Sequence, residues 1–195
     1  MGATKKICEF YIKNIQSKHT QFNIVRFGNV INSNGSALPL FERQMRLHRY
    51  ITVTHRKMMR FFMSIREAAQ LVIKSTSQGN VSGSIYILNM GELINIYEVA
   101  ECLVRSKNLI PGEDVEMRIT GLRKGEKMVE ELYTETEKGR ISRGGMKDIF
   151  LLKNLDECPE DIDSFIAELE EMVKNNVSQV VLKKSLKRLF PSLKG

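Results

Sequence analysis

Ile24-Val25-Arg26-Phe27-Gly28-Asn29-Val30-Ile31-Asn32-Ser33-Asn34-Gly35-Ser36 is the stretch whose reading decides the fold. An apolar run bears one arginine, gives way to a turn of Asn, Ser and Gly, and leads into a segment of helical spacing. Such a near-continuous apolar strand belongs in a parallel sheet covered on both faces. In open α/β sheets, ligands bind outside the carboxyl ends of strands, where small residues let backbone and ligand come close. Arg26 in the strand and the polar turn beyond it point to an anionic ligand. A second basic motif, Gly121-Leu122-Arg123-Lys124-Gly125-Glu126-Lys127, points the same way.

Outward from this stretch, Ile7, Phe10, Tyr11 and Ile15 recur at helical spacing and predict a helix over residues 3–18. The apolar run predicts one strand over 22–30, with a turn at 32–36. A helix over 37–48 follows, with Pro39 tolerated in its first turn. Residues 50–54 alternate like a short strand. Ser64 and Glu67 have the spacing of a capping box and open a helix over 65–75. The loop 78–82 leads to a buried strand over 84–89. A helix over 96–106 and a strand over 115–120 come next, and residues 127–132 read as a short helix. Residues 134–146 are polar and glycine-containing and read as a flexible loop. A helix starting at Pro159 and running to 174, and another over 177–189 with a basic outer face, form a C-terminal helical pair. The fold class is α/β, divided into residues 1–150 and a helical appendage, 151–195.

The 195 residues are 42% hydrophobic, enough for a globular core. No apolar run is long enough to cross a membrane, and the lysine-bearing first twenty residues have no apolar core of a signal peptide. The expected location is therefore cytoplasmic. Cys8, Cys102 and Cys158 are far apart and show no CxxC spacing, and His19, His48 and His55 form no ligand motif. Reduced structural thiols and no metal are expected. Residues 1–60 hold 11 lysines and arginines against only Glu9 and Glu42; the rest holds 19 bases against 21 acids. A basic amino-terminal part suggests a polyanionic partner or a phosphorylated small ligand. Nucleic acid is disfavoured, because no interleaved exposed aromatics or known binding motif accompany the charge.

Four longer motifs occur in one order and spacing: VRFGNVINSNGSALPLF, ITVTHRKMMRFFMSIREAAQLV, YILNMGELINIYEVAECLV and ITGLRKGEKMVEEL. In these the chain resembles the C-terminal part of bacterial nucleotide-sugar 4,6-dehydratases of polysaccharide biosynthesis, of the UDP-N-acetylhexosamine type. These belong to the extended short-chain dehydrogenase/reductase superfamily. The resemblance covers roughly residues 1–150. It implies the last strands of a Rossmann sheet, a small mixed substrate-binding domain and the C-terminal helices. Family members use NAD or NADP, oxidise C4 of a UDP-sugar, eliminate water across C5–C6 and return the hydride at C6.

The resemblance also assigns residues. Met1 to Lys5 falls where the superfamily carries Tyr-x-x-x-Lys, with methionine at the tyrosine position as in one branch of these dehydratases. Lys5 is thus the candidate catalytic and nicotinamide-ribose residue. Phe27 and Gly28 would lie near the nicotinamide, and Asn29 near the sugar. Gly35 and Ser36 would offer N–H groups to an anion at a helix start. Thr52, Val53 and Thr54 would flank the uracil. Arg60 and Arg123 would bind the diphosphate through charge-assisted bonds, and Glu126 would hold a ribose hydroxyl or Arg123. The chain departs from the family pattern at Asn34, Met59, Lys124 and Asn89, which stand where arginine, threonine, proline and aspartate are usual.

No GxGxxG fingerprint for a dinucleotide pyrophosphate occurs in the sequence, and GNVSG at residues 79–83 does not lead into a helix. The expectation is a truncated or split dehydratase that carries the UDP-sugar half, does not bind NAD(P) by itself and is inactive alone. Unpaired sheet edges would make it a homo-oligomer or a partner of a separate Rossmann polypeptide. The alternatives are a non-catalytic nucleotide-sugar-binding module and, behind it, a basic nucleic-acid-binding domain.

Overall fold

Helix α1 (Gly2–Asn14) is followed by β1 (Ile24–Arg26), β2 (Asn29–Val30), α2 (Ala37–His48), β3 (Tyr50–Val53), β4 (Met59–Met63) and α3 (Ile65–Thr76). Then come β5 (Ile85–Leu88), β6 (Leu93–Asn95), α4 (Ile96–Ser106), β7 (Glu116–Ile119), α5 (Glu135–Lys138), β8 (Ile141–Arg143), β9 (Ile149–Leu152), α6 (Ile162–Lys174) and α7 (Gln179–Leu189). The computed structural model describes residues 2–15, 17–78, 82–143, 145–153 and 161–190. Met1, Cys158, the expected helix start at Pro159 and part of the 78–82 loop lie outside these residues.

Local chemistry accounts for the starts of α3, α4 and α6. Ser64 accepts from the Glu67 N–H at 3.1 Å while the Glu67 carboxylate accepts from the Ser64 N–H at 2.7 Å, so the capping box that opens α3 is complete. Asn95 caps α4 by accepting from the Tyr97 N–H at 2.8 Å. Asp161 caps α6 through the Asp163 N–H at 3.2 Å. Helix α2 ends at Arg49, which takes the left-handed conformation at φ 54° and returns its N–H to Met45 O.

The apolar run of residues 22–30 is two strands rather than one. Ile24, Val25 and Arg26 pair in parallel with Ile85, Tyr86 and Ile87 of β5. Asn29 and Val30 pair in parallel with Phe62 and Met63 of β4, in a different sheet. The chain crosses between the sheets at Phe27 and Gly28. A Cβ on Gly28 would lie 2.8 Å from the Phe61 Cβ and 3.0 Å from Glu130 Oε2, so the crossing passes where only glycine fits.

The first sheet has the order β1-β5-β9-β8, with β9 antiparallel to both neighbours. The second is β2-β4-β6, and β3 pairs in parallel with β7. All four residues of β5 are buried, as expected for a strand covered on both faces. Between β3 and helices α2 and α4 lies a core of Phe41, Ile51, Val53, Ala100, Val104 and Val115. A second core joins Met63 and Leu71 to Tyr86, Leu88 and Ile149. The helical pair α6–α7 packs on α1 through Ile162, Phe165, Leu189 and Phe10.

Three further segments depart from expectation, the first being the helix expected over 3–18, which ends at Asn14. Residues 127–132 form no helix. The Met59 N–H donates to Met128 O at 2.9 Å and the Glu130 N–H to Met59 O at 3.2 Å, so the backbone groups a helix would use internally are taken by β4. Residues 134–146 contain α5 and β8. Thr134 and Glu137 form a second capping box there, with the same S/T-x-x-E spacing that located α3.

Candidate functional site

The loop of residues 121–127 is built around its own carboxylate. Glu126 Oε2 accepts from the Arg123 N–H at 3.0 Å, and the Glu126 N–H donates back to Arg123 O at 2.9 Å. Gly125, at φ 80°, supplies the left-handed residue that closes this turn. Arg60, on β4, holds the far side of the loop. Its Nη1 donates to Met59 O at 2.8 Å and Met128 O at 3.2 Å, and its Nη2 to Lys127 O at 2.9 Å. Its guanidinium also faces Glu126 at 3.8 Å, and Thr54 Oγ1 reaches Glu126 Oε1 at 3.4 Å. Thr54, Arg60, Arg123 and Glu126 are therefore brought together. Arg123 is held by its backbone, while its exposed guanidinium makes no hydrogen bond or ion pair with the described residues. A fixed backbone carrying an open guanidinium is suited to capture an anion.

Arg60 spends most of its donors on carbonyl oxygens, so it shapes the loop as much as it offers charge to a ligand. Glu126 holds the Arg123 backbone rather than the Arg123 side chain. On β3, the Gln44 amide caps Thr52: Oε1 accepts from its N–H at 3.0 Å and Nε2 donates to its Oγ1 at 2.7 Å. Val53 is buried and pairs with Ile119.

Phe27, Gly28 and Asn29 lie at the crossing between sheets. Phe27 is 40% exposed. Glu130, which no sequence pattern singled out, accepts from the Phe61 N–H at 2.9 Å and fills the space beside Gly28. Ser36 stands at the N-cap of α2 in extended conformation, yet its hydroxyl makes no capping bond. Its Oγ is buried and finds no partner among the described residues, and Gly35 precedes it at φ 76°. A helix start favours an anion through its N–H groups, and here Ala37 and Leu38 supply them before Pro39, which has none.

Arg26 has another role than the ligand contact expected of it. Its Nε and Nη2 donate to Glu9 Oε1 and Oε2 at 2.6 and 2.7 Å. Its Nη1 and Nη2 donate to Glu137 Oε2 and Oε1 at 2.9 and 3.0 Å, and Nη1 also reaches Leu132 O at 3.3 Å. Burial disfavours the Arg26 charge, but its hydrogen bonds to Glu9 and Glu137 outweigh it, and its pKa is raised. Burial likewise pushes the Glu137 carboxyl up; the Arg26 hydrogen bond, the Thr134 N–H and Lys6 outweigh it and hold it at about 2. The guanidinium is neutralised from within, so it ties α1, β1 and α5 together. The lysine in this cluster is Lys6, 3.3 Å from Glu9 and 3.6 Å from Glu137. Lys5 is exposed on α1 and makes no ion pair with the described residues.

A shallow concavity of about 400 Å³ lies on α2, lined by Pro39, Glu42, Arg43, Met45, Arg46 and Lys107, and includes none of the strand-end residues. Among the described residues no cluster of His, Cys, Asp or Glu could hold a metal ion. Cys8 and Cys102 are free and exposed. No helix of the described residues is long and apolar enough to cross a membrane.

Residues 1–153 match the family described as "Polysaccharide biosynthesis protein". The chain belongs to this polysaccharide biosynthesis family. It is 40% identical over 139 residues to the capsular polysaccharide biosynthesis protein CapD of Staphylococcus aureus, covering 70% of this chain and 23% of that protein. It is 32% identical over 121 residues to a UDP-glucose 4-epimerase of Rickettsia rickettsii, covering 62% of this chain and 34% of the epimerase. Among solved structures it is similar to Pen from Bacillus thuringiensis, at a TM-score of 0.68 and 35% identity, covering 77% of this chain and 47% of Pen. The chain thus spans from about a quarter to about half the length of these relatives. The α/β architecture with parallel strands is that of the C-terminal part of an extended short-chain dehydrogenase/reductase. Every candidate site residue named from the sequence falls within the part matched by the polysaccharide biosynthesis family.

Proposed function

We propose that these residues form the UDP-sugar-binding part of a nucleotide-sugar 4,6-dehydratase- or epimerase-like protein of surface polysaccharide biosynthesis. The observation that carries this is the loop of residues 121–127, with Arg123 held by its backbone, open at its guanidinium, and backed by Arg60 and Glu126. Arg123 binds the diphosphate of the nucleotide-sugar. Arg60 holds the loop in place through the carbonyls of Lys127 and Met128. Gly35 and Ser36 offer the α2 N-terminus to a second anionic oxygen, and Thr52, Val53 and Thr54 lie along the nucleobase. Asn29, at the strand end, can donate to and accept from a sugar hydroxyl.

NAD or NADP, when bound, supplies the hydride acceptor and donor of such a reaction. Lys5 and Phe27 are exposed and fit the nicotinamide-ribose end of that group. Gly28 has its flank filled by Phe61 and Glu130, and no glycine-rich pyrophosphate cradle occurs in the sequence. These residues alone are therefore expected to bind the nucleotide-sugar without catalysing hydride transfer, which calls for a dinucleotide-binding part in addition. Within them, residues 1–150 carry the sites and 151–195 the helical appendage.

Calorimetry of the 195-residue chain with UDP and UDP-N-acetylglucosamine tests this. Binding is expected, and Arg123→Ala should weaken it ten- to a hundredfold, because charge-assisted hydrogen bonds to phosphate are worth about 1.5–3 kcal/mol. Equal binding by the parent chain and Arg123→Ala would remove the loop from the site.

A further inference from the structure

The α6–α7 hairpin carries two opposite charges that its own packing leaves unused. On α6, Asp163, Glu170 and Glu171 are exposed, and their carboxylates pair with no base among the described residues. On α7, Lys183, Lys184 and Lys187 are exposed and equally unpaired. The pair that does form, Arg188 to Glu168 at 2.8 Å, is spent joining α7 to α6. Helical geometry puts positions 163, 170 and 171 on one stripe of α6, which also takes in the exposed Lys174 at its carboxyl end and so keeps three acids against one base, and positions 180, 183, 184 and 187 on one stripe of α7. Three valines flank the turn between the helices and stay open: Val173 at 63%, Val180 at 76% and Val181 at 43% exposure. The opposite faces of both helices are already used against α1, through Phe10, Ile162, Phe165 and Leu189.

We propose that the outer faces of α6 and α7 form a self-complementary surface that docks a second copy of this chain. A two-fold arrangement sets the acidic stripe of α6 in each copy against the lysine stripe of α7 in the other, because an isologous interface presents the same patch from both sides. The valines at the hairpin turn supply apolar contact between the stripes. An anionic membrane or a nucleic acid would engage the lysines but repel Asp163, Glu170 and Glu171. A second copy of the chain engages both stripes at once.

The surface is small. Helices of 13 and 11 residues are about 20 and 16 Å long, and lying about 10 Å apart they offer on the order of 400 Å² of flat face. A stable interface of standard size takes about 800 Å² from each partner. The dimer is therefore expected to be weak, with a dissociation constant on the order of micromolar to tens of micromolar, and to loosen with salt, because exposed charges beyond about 8–10 Å are screened.

Sedimentation equilibrium of the 195-residue chain at 50 and 500 mM sodium chloride reads this directly and needs no variant. A monomer–dimer equilibrium at low salt that shifts at least fivefold toward monomer at high salt is expected. Lys183→Glu with Lys187→Glu should abolish the dimer, and so should Glu170→Lys with Glu171→Lys. The chain carrying all four changes should dimerise again, and the two double variants should pair when mixed. Far-ultraviolet circular dichroism confirms that each variant is folded. A monomer at 100 µM and low salt overturns the proposal. So does a dimer untouched by either charge reversal, since it must use another surface. Binding to vesicles of anionic lipid that depends on the lysines, without self-association, assigns α7 to a membrane surface instead.

Discussion

Arg26→Ala is expected to be the most damaging single change outside the apolar cores. The guanidinium has a side chain only 16% exposed, and its partners Glu9 and Glu137 are 13% and 7% exposed. Removing it leaves two carboxylates facing each other with Lys6 alone to compensate. Breaking a buried pair by deleting one member costs about 3–5 kcal/mol, a large share of the roughly 5–15 kcal/mol that holds a domain folded. Glu137→Gln is milder, because Glu9 still pairs with Arg26. A carboxyl held at about 2 against the usual 4.5 corresponds to about 3 kcal/mol, and solvent screening at the rim brings this to about 2 kcal/mol. Since the folded pKa is depressed, that contribution is complete above about pH 4.5 and is lost as pH falls toward 2. The assay is urea unfolding followed by circular dichroism at pH 7, 5, 4 and 3. The gap between the parent chain and Glu137→Gln should be constant from pH 7 to 5 and narrow at 4 and 3. A gap that does not change with pH, or a loss below about 1 kcal/mol for Arg26→Ala, as for an exposed pair, would refute the reasoning.

Gly28→Ala should destabilise the chain by about 1–3 kcal/mol, because the new methyl meets the Phe61 Cβ at 2.8 Å and Glu130 Oε2 at 3.0 Å; a thermal melt equal to that of the parent would contradict this. Arg60→Ala should lower both UDP affinity and the unfolding midpoint, since it frees the carbonyls of Lys127 and Met128, whereas Arg123→Ala should lower affinity alone. Parallel calorimetry and melting of the two variants separates these outcomes. The 195-residue chain should give no calorimetric signal with NAD or NADP below millimolar concentration, and a low-micromolar constant would mean that a dinucleotide site exists within it.

Helices α2, α3 and α4 were legible in the sequence because their determinants are local. Ser64 with Glu67 bounds α3 from within one turn, and the expected spans over 37–48 and 96–106 are those of α2 and α4. The α/β class followed from the apolar runs at β1 and β5, and the family from four motifs in register. Glu137 could have been found by the capping-box spacing from Thr134, although that pattern does not reveal Arg26 as its partner. What only the tertiary structure decided is which distant groups satisfy one another. Arg26 meets Glu9 and Glu137 across 17 and 111 positions, so a residue that reads as a ligand hook becomes an internal tie. Residues 127–132 have apolar spacing fit for a helix, but β4 takes their backbone groups, and a backbone group can satisfy only the partner that packing brings to it. The run over 22–30 divides at Gly28 because Phe61 and Glu130, more than 30 and 100 positions on, occupy the space a side chain would need. Periodicity reports which face of an element is apolar; it carries no record of which other element covers that face or neutralises its charge.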